Sequence, residues 1–259
     1  MSEKLKARRG AGGATRARAA EIKVCGRHAC RALFERRGDR ILRVYLAKEL
    51  VKPFGDLLRA CAERRRPYKI VAPEELERLT ESRHHEGICL VVAASPPRPL
   101  AEILAAPGPG VVVALAGVEN PHNTGAIART AAHFGARAVV VEGAFKRLPP
   151  VVYRTAQGGA EWVDVVAAPA LGAALAEARR AGYTVCATSS HAGVDLFAAR
   201  LPMRAVIVLG AEDAGLSPEL ARDADLTLKI PGSEHVESLN VASAAAVLLA
   251  ELWRRRTAP

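Results

Sequence analysis

The strongest constraint on the fold comes from six short apolar runs between residues 111 and 230. They are Val111–Ala116, Ala138–Val141, Val163–Val166, Tyr183–Ala187, Ala205–Leu209 and Leu226–Ile230, and segments long enough for a helix separate them. Continuous apolar runs are typical of strands that are buried on both faces, as in a parallel sheet. The pattern therefore predicts an α/β fold with a mostly parallel sheet and helices on both sides. Ligands of such sheets bind at the carboxyl ends of the strands.

A smaller α/β domain is predicted ahead of this sheet, over residues 21–94. Strands are expected at Ile22–Cys25, Ile41–Leu46, Tyr68–Val71 and Ile88–Val92, and helices at Gly26–Arg36, Pro53–Glu63 and Pro73–Leu79. Residues 95–110 hold five of the 16 prolines of the chain, so this segment is interpreted as a linker. The larger domain then covers residues 111–256.

The positive charge of the chain is concentrated at its N-terminal end. Residues 1–70 contain 20 Lys and Arg against 7 Asp and Glu, a net charge of +13, whereas residues 71–259 contain 17 against 20, or −3. This distribution favours a polyanionic partner, with RNA or DNA preferred over a membrane. Residues 1–20 are interpreted as a disordered basic arm, which either adds phosphate contacts or is a solvated tail. The alternative is that the arginines only solubilise the protein.

Several classes of protein are not supported by the motifs. The five cysteines show no C-x-x-C spacing, so we expect reduced thiols in a cytoplasmic protein and neither a zinc site nor any other metal. Neither a membrane span nor a signal peptide is recognisable, so no membrane partner is expected. The glycine-rich motifs of dinucleotide-binding folds and P-loop enzymes are missing, as is the serine hydrolase elbow.

Polar and glycine residues follow three of the predicted strands. The first loop runs over residues 117–125 and leads into a helix in which Thr124 is the predicted cap and Arg129 is turned away from the core. The second covers residues 210–217 and includes Glu212. Each loop alone is also explained by ordinary turn chemistry, since Asn, Gly and Asp are common turn residues.

The third loop opens the stretch Ile230–Leu252. It contains a Pro-Gly turn, and then a helix with Ser238 as the predicted N-cap and apolar residues at helical spacing from Val241. Asn240 is polar at a position where an unpaired amide is costly, which indicates either a satisfied core residue or part of a site. The stretch alone is consistent with a buried C-terminal helix or with a ligand site.

Together these residues resemble a known family. Asn120, Asn123, Gly125 and Arg129 form an N-x-x-N-x-G-x-x-x-R pattern, LGAEDAGLS stands at residues 209–217, and IPG…ESLNVASAAAV begins at residue 230. In order and spacing they are similar to the three motifs of the SpoU (TrmH-like) RNA ribose methyltransferases. The segment VCGRHACRALFERR…ILRVYLAKE…HEGI is similar to the L30e-like RNA-binding domain that often precedes them.

The resemblance implies a mostly parallel α/β sheet with a C-terminal trefoil knot of the SPOUT class, preceded by a small L30e-like α/β domain. It further implies a homodimer that binds S-adenosylmethionine and methylates a ribose 2′-hydroxyl. The residues that match the cofactor contacts of the family are Thr188, Gly210, Ile230 and Leu239. Those that match its catalytic cluster are Asn123, Arg129, Glu212, Ser238 and Asn240.

The chemistry of Arg129 permits two interpretations, a base that activates the hydroxyl or a clamp for the target phosphate. A guanidinium has a pKa above about 12 and is a poor base, so we favour the clamp, with Glu212 and Asn123 fixing its orientation. An L30e-like domain favours rRNA over tRNA as the substrate, by analogy only. The alternative to an enzyme is a catalytically silent, knotted RNA-binding protein that acts as an assembly factor.

Overall fold

The computed structural model describes residues 20–143, 148–233 and 235–257, which form two β-sheets and the helices packed on them. The predicted basic arm lies outside the described residues, except for Ala20. None of the helices in the described ranges is long and apolar enough to cross a membrane.

The first part of the chain folds into a four-stranded mixed sheet with three helices. In chain order the elements are β1 (Glu21–Cys25), α1 (Arg27–Arg37), β2 (Ile41–Leu46), α2 (Gly55–Glu63), β3 (Tyr68–Ile70), α3 (Pro73–Thr80) and β4 (Ile88–Ala93). The strand order is β1-β4-β2-β3, and β4 is antiparallel to both of its neighbours. All seven predicted elements of this part are present, with ends that differ from the predictions by at most two residues.

The second part contains a seven-stranded sheet. Its elements are α4 (Leu100–Leu104), β5 (Gly110–Leu115), α5 (Pro121–His133), β6 (Ala138–Glu142), α6 (Pro150–Ala156), β7 (Asp164–Ala168), α7 (Leu171–Arg180), β8 (Thr184–Thr188), β9 (Val194–Asp195), β10 (Arg204–Leu209), α8 (Pro218–Arg222), β11 (Leu226–Lys229) and α9 (Val241–Thr257). The strand order is β7-β6-β5-β10-β8-β11-β9, and each recorded pairing is parallel. The predicted α/β class with a parallel sheet is confirmed, whereas the trefoil knot stays a prediction.

The strands of the large sheet are apolar throughout because both of their faces are covered. All six residues of β5 are buried. Val111, Val113 and Leu115 point into the layer formed by α5 and α9, and Val112 and Ala114 point into the layer formed by α4 and α7. This alternation is the two-residue period of a strand, applied to a core on either side.

The segment 95–110, which the sequence predicts to be a linker, contributes to this packing. It contains α4, and Ile103 and Leu104 are 2% and 1% exposed against the large sheet. The residues from Leu100 onward therefore pack with the second part of the chain. The division into an arm, two domains and a linker stays a prediction.

The strand order brings the three polar loops to one edge of the sheet. β5, β10, β8 and β11 are consecutive neighbours, and all of them are parallel. The segments that follow β5, β10 and β11 therefore begin at the same edge, although they lie far apart in the sequence.

Candidate functional site

The loop after β5 places Asn123 in the first turn of α5. Asn120, and not the predicted Thr124, caps this helix, because its Oδ1 accepts a hydrogen bond from the amide of His122 at 2.9 Å. Pro121 follows as the first helical residue, where its missing N–H costs nothing. Thr124 is instead buried inside the helix, at 5% exposure.

The start of α9 is fixed in the same way. Asn240 caps it, since its Oδ1 accepts hydrogen bonds from the amides of Ala242 at 3.0 Å and Ser243 at 3.4 Å. The prediction that Ser238 is the cap was wrong, because the helix begins at Val241, directly after Asn240. Ser238 is exposed, and its side chain bonds to none of the residues that the structure describes.

Glu212 joins the three loops. Its Oε1 accepts hydrogen bonds from Asn123 Nδ2 at 2.9 Å, from Asn240 Nδ2 at 2.5 Å and from the amide of Val241 at 3.4 Å. Asn240 Nδ2 also lies 3.4 Å from Asn123 Oδ1. A carboxylate at the start of α9 is favoured by the unpaired amides there, and charge-assisted bonds are stronger than those between neutral groups.

We call Asn123, Glu212 and Asn240 the amide–carboxylate cluster. All of its partners are neutral donors, so the charge of Glu212 is not compensated by a cation within the cluster. Among the described residues, none donates to the second carboxylate oxygen. The cluster therefore offers a negative, solvent-facing oxygen at the edge where the loops meet.

Arg129 lies away from this cluster, in the third turn of α5. Its side chain is exposed and forms no hydrogen bond or ion pair within the described ranges. Neither Glu212 nor Asn123 contacts Arg129 among the described residues, so the expectation that they fix its orientation stays a prediction. An unpaired, exposed guanidinium can bind a phosphate with two parallel hydrogen bonds.

The residues expected to hold a cofactor follow three adjacent strands. Thr188 ends β8, and its Oγ1 donates to the carbonyl of Val208 at 2.9 Å. Gly210 follows β10 and Ile230 follows β11, and all three are half-buried. A Cβ on Gly210 would lie 2.2 Å from the carbonyl carbon of Gly215, so this loop closes on itself only with glycine.

Leu239 differs from those three residues, since it precedes α9 and its apolar side chain is 46% exposed. It stands between Ser238 and Asn240, so the structure brings an apolar side chain next to the amide–carboxylate cluster.

One residue that sequence reasoning missed supports the first loop. Glu142, at the end of β6, accepts a hydrogen bond from the amide of Gly117 at 2.9 Å. Gly117 has φ +65°, a conformation that glycine adopts readily, so the loop turns sharply after β5. A single acidic residue that ends an apolar strand was the available signal.

The cysteines and histidines do not form a metal centre in the part of the chain that the structure describes, where no group of three potential ligands is found. All five cysteines are free and buried. Burial raises the pKa of Cys89 and of Cys186 to about 12, so both are held as thiols at neutral pH.

Comparisons with known proteins match both parts of the chain. The model of the SpoU rRNA Methylase family matches residues 110–250, and a second model, described as RNA 2′-O ribose methyltransferase substrate binding, matches residues 23–98.

Two curated relatives and one solved structure are similar over most of the chain. A protein named uncharacterized tRNA/rRNA methyltransferase YfiF, from Escherichia coli O157:H7, is 39% identical over 94% of this chain and 71% of its own length. A 23S rRNA (guanosine-2′-O-)-methyltransferase RlmB from Pseudomonas putida is 31% identical, over 90% of this chain and 96% of its own. The SpoU methyltransferase AviRb from Streptomyces viridochromogenes, solved with AdoMet, has a TM-score of 0.75 at 24% identity, and the match covers 94% and 93% of the two chains. This last likeness shows the fold.

Proposed function

Because the chain belongs to the SpoU rRNA methylase family, we propose that it methylates the 2′-hydroxyl of a ribose in structured rRNA. Family membership makes it an RNA methyltransferase that uses S-adenosylmethionine. The proposal adds the position on the nucleotide and the kind of RNA. The observation that carries it is Glu212, which ties the loops after β5 and β10 to the start of α9.

The proposed cofactor residues suit S-adenosylmethionine. Its adenine is uncharged, and backbone groups beside Thr188, Gly210 and Ile230 can bind it without a charged side chain. The exposed apolar side chain of Leu239 can pack on the ring. When bound, the cofactor supplies a methyl group on a positively charged sulfur, and the bond to sulfur breaks as the bond to the ribose oxygen forms.

The residues of this chain contribute chiefly by position. Direct displacement requires the hydroxyl oxygen to be aligned with the methyl group, and holding two reactants in line is worth several orders of magnitude in rate. We assign the amide–carboxylate cluster to holding the ribose edge, with the free oxygen of Glu212 as the acceptor for the hydroxyl proton. Ser238 is exposed beside this cluster and is proposed to contact the same ribose.

Arg129 is proposed to clamp the phosphate next to the target ribose. It is exposed and without a partner among the described residues, so its charge is available to RNA. Two parallel hydrogen bonds would compensate the charge of the phosphate and would also fix the position of the ribose attached to it.

The choice of rRNA is supported by the first part of the chain. It matches a substrate-binding family over residues 23–98, and residues 1–70 carry a net charge of +13. The relative from Pseudomonas putida bears the name of a 23S rRNA enzyme, whereas the relative from Escherichia coli is named for tRNA or rRNA.

A homodimer is part of the proposal. Val236 and Trp253 are 71% and 46% exposed on the segment before α9 and on α9 itself, and large apolar side chains left open to solvent are consistent with a protein partner. Light scattering on the purified chain should give twice the monomer mass, and Trp253→Arg should lower it. A monomer at micromolar concentration would contradict the dimer.

The function is tested with cofactor labelled in its methyl group and with RNA from cells that lack the gene, separated into rRNA and tRNA fractions. We expect a labelled 2′-O-methylnucleoside after digestion of the rRNA fraction. Label on a base, or in tRNA alone, would contradict the finer assignment. Cofactor binding without any product would favour the silent assembly factor.

A further inference from the structure

A short turn lies between the two parts of the chain and touches both. Residues 158–162, which we call the junction turn, follow α6 and contain a 3₁₀ turn at Gly159–Glu161. On one side the junction turn packs against α5, and on the other side it packs against α1.

The contact with α5 is made at Arg129. A Cβ on Gly159 would lie 2.7 Å from Arg129 Cα and 3.0 Å from the carbonyl oxygen of Ala128. Gly125, one turn earlier, is packed as closely, since a Cβ there would lie 2.6 Å from Thr155 Cβ. Backbone therefore touches backbone, and a movement of the junction turn moves the Cα of Arg129.

The contact with α1 is equally close. Gly158 has φ +92°, and a Cβ there would lie 2.7 Å from Ala32 Cβ and 3.2 Å from the carbonyl oxygen of His28. The next residues carry the charged contact. Arg37, the last residue of α1, donates to both carboxylate oxygens of Glu161, at 2.6 and 2.7 Å.

The ion pair between Arg37 and Glu161 is largely removed from water. The Glu161 side chain is 5% exposed and the Arg37 side chain is 21% exposed. Burial opposes the charge of Arg37, but the hydrogen bonds to Glu161, the negative charge of Glu161 and the nearby Tyr153 together outweigh it and raise the pKa of the guanidinium. The guanidinium of Arg37 is therefore held in its charged form beside Glu161.

Further contacts surround the pair and hold the same surfaces together. The Arg36 guanidinium lies 4.5 Å from the ring centre of Trp162, and Arg154 of α6 donates to Ser82 Oγ at 3.1 Å. Tyr153 packs against the core of the first part. The first part of the chain therefore holds α6 and the junction turn in place through several contacts.

We propose that Arg37 is a positioning residue for methyl transfer, which acts through Glu161 and the junction turn to hold the backbone of Arg129 in place. The first part of the chain then does more than bind RNA, because its docking sets the geometry of the phosphate clamp. This inference rests on the proposed function, and it adds a physical connection between substrate binding and chemistry.

Methyl transfer tolerates little displacement of the groups that hold its reactants. Misplacing a reacting group by about 1 Å costs on the order of 100-fold in rate. Without Arg37, Glu161 is left with an unpaired charge in a place with little water, so the turn has to move to hydrate it. Because glycine contacts leave no free space on the α5 side, that movement is passed to Arg129.

The test compares Arg37→Ala with Arg31→Ala in the full-length protein. Arg31 lies on the same helix and forms an ion pair with Asp56 at 2.5 Å, but that pair stays within the first part of the chain. Single-turnover and steady-state rates are measured at saturating cofactor over a range of rRNA concentrations. For Arg37→Ala we expect kcat to fall about tenfold or more, with KM for RNA and cofactor affinity within about twofold of wild type. Arg31→Ala should retain the wild-type kcat.

Two outcomes would overturn the proposal. One is a kcat of Arg37→Ala that equals that of Arg31→Ala. The other is a loss that lies wholly in KM for RNA, which would make the pair a docking contact only. The double variant Arg37→Ala/Glu161→Ala should be no slower than Arg37→Ala alone, since removing both partners leaves no unpaired charge. Arg37→Lys keeps the charge but only part of the contact, so its kcat should lie between those of wild type and Arg37→Ala.

Hydrogen exchange separates this inference from the proposed function. In Arg37→Ala the amides of α5 around Arg129 should exchange faster, while those of α9 should not change. If wild type made no methylated RNA but this response appeared, the proposed function would fail and the coupling would stand. If methylation occurred and α5 did not respond, the coupling would fail alone.

Discussion

Two glutamates join distant segments of this chain in opposite surroundings. Glu212 is exposed at the edge of the large sheet and bonds to two side-chain amides, whereas the Glu161 side chain is 5% exposed and pairs with Arg37. The first keeps its charge and one oxygen for a substrate. The second is neutralised by its partner and is closed to solvent. The surroundings of Glu212 therefore suit catalysis, whereas those of Glu161 suit the transmission of a displacement between the two parts of the chain.

This comparison leads to different expectations for the two regions. Changes at the exposed edge should lower the rate of methylation and leave the free energy of unfolding nearly unchanged, because few packing contacts depend on them. Changes at the junction turn should affect both quantities, since buried charges and close backbone contacts are involved.

The largest effect is expected for Arg129→Ala. Losing a group that binds charge beside a reacting centre costs about 100- to 1000-fold in kcat. The melting temperature should change little, because the side chain is exposed and has no partner within the described ranges. The paired measurement is product formation and thermal unfolding.

Arg129→Lys refines this result. It keeps the positive charge and loses the two parallel hydrogen bonds, so an intermediate rate is expected. Near-full turnover by Arg129→Lys would contradict the two-bond phosphate clamp. Arg222→Ala, an exposed arginine on α8, serves as the surface control.

Glu161→Ala tests the other side of the comparison. Breaking a buried ion pair costs about 3–5 kcal/mol, and because Arg37 is partly open to solvent we expect about 2 kcal/mol in the free energy of unfolding. Urea unfolding measures it. The control is Glu75→Ala, whose pair with Lys69 is exposed and should contribute about 0.5 kcal/mol or less. Equal losses in the two variants would show that the junction pair is no more than a surface contact.

Glu212→Gln should lower the free energy of unfolding by less than Glu161→Ala does, but it should lower kcat by a measurable amount. The amide oxygen of Gln still accepts a hydrogen bond from Asn123 or Asn240, but the negative charge is gone. We expect kcat to fall about tenfold, since a charge-assisted bond is stronger than a neutral one by roughly 1 kcal/mol. A kcat within about twofold of wild type would contradict the assignment of Glu212 as the acceptor for the hydroxyl proton.

The contrast between the regions also shows what the sequence could reveal. The apolar runs predicted the strands because burial on both faces leaves a continuous pattern. The convergence of the three loops followed from parallel strands, without any knowledge of the contacts. β9, at Val194–Asp195, had no such pattern, because it exists only by pairing with Leu228 and Lys229 of β11.

The two helix caps were misassigned for a common reason. Several residues that can cap stand around the start of each helix, and the choice depends on where the backbone first turns helical. Pro121 and Val241 begin α5 and α9, which makes Asn120 and Asn240 the caps. The pair of Arg37 and Glu161 was beyond reach, since 124 residues separate its partners and no pattern in the sequence links the two positions.

A third glutamate offers the smallest and most specific test. Glu251 lies near the end of α9, 6% exposed, and bonds to Arg254 at 2.8 Å and to Arg255 at 2.6 Å. The hydrogen bonds to Arg254 and then to Arg255 lower the pKa of this carboxyl to about 2. Its pKa in an unfolded chain is about 4.3, so its contribution to stability is fully present above that pH and is lost as the pH falls toward 2.

Glu251→Gln should therefore lower the urea midpoint at pH 6, and the difference from wild type should shrink at pH 3. The other carboxylates titrate in both proteins, so they cancel in the comparison. Glu219→Gln, an exposed position at the start of α8, should change the midpoint little at either pH. A constant difference between wild type and Glu251→Gln from pH 6 to pH 3 would mean that the arginines stabilise the helix end without binding the charge of Glu251. Glu251 would then resemble Glu212, a carboxylate that is held but not neutralised, and not Glu161.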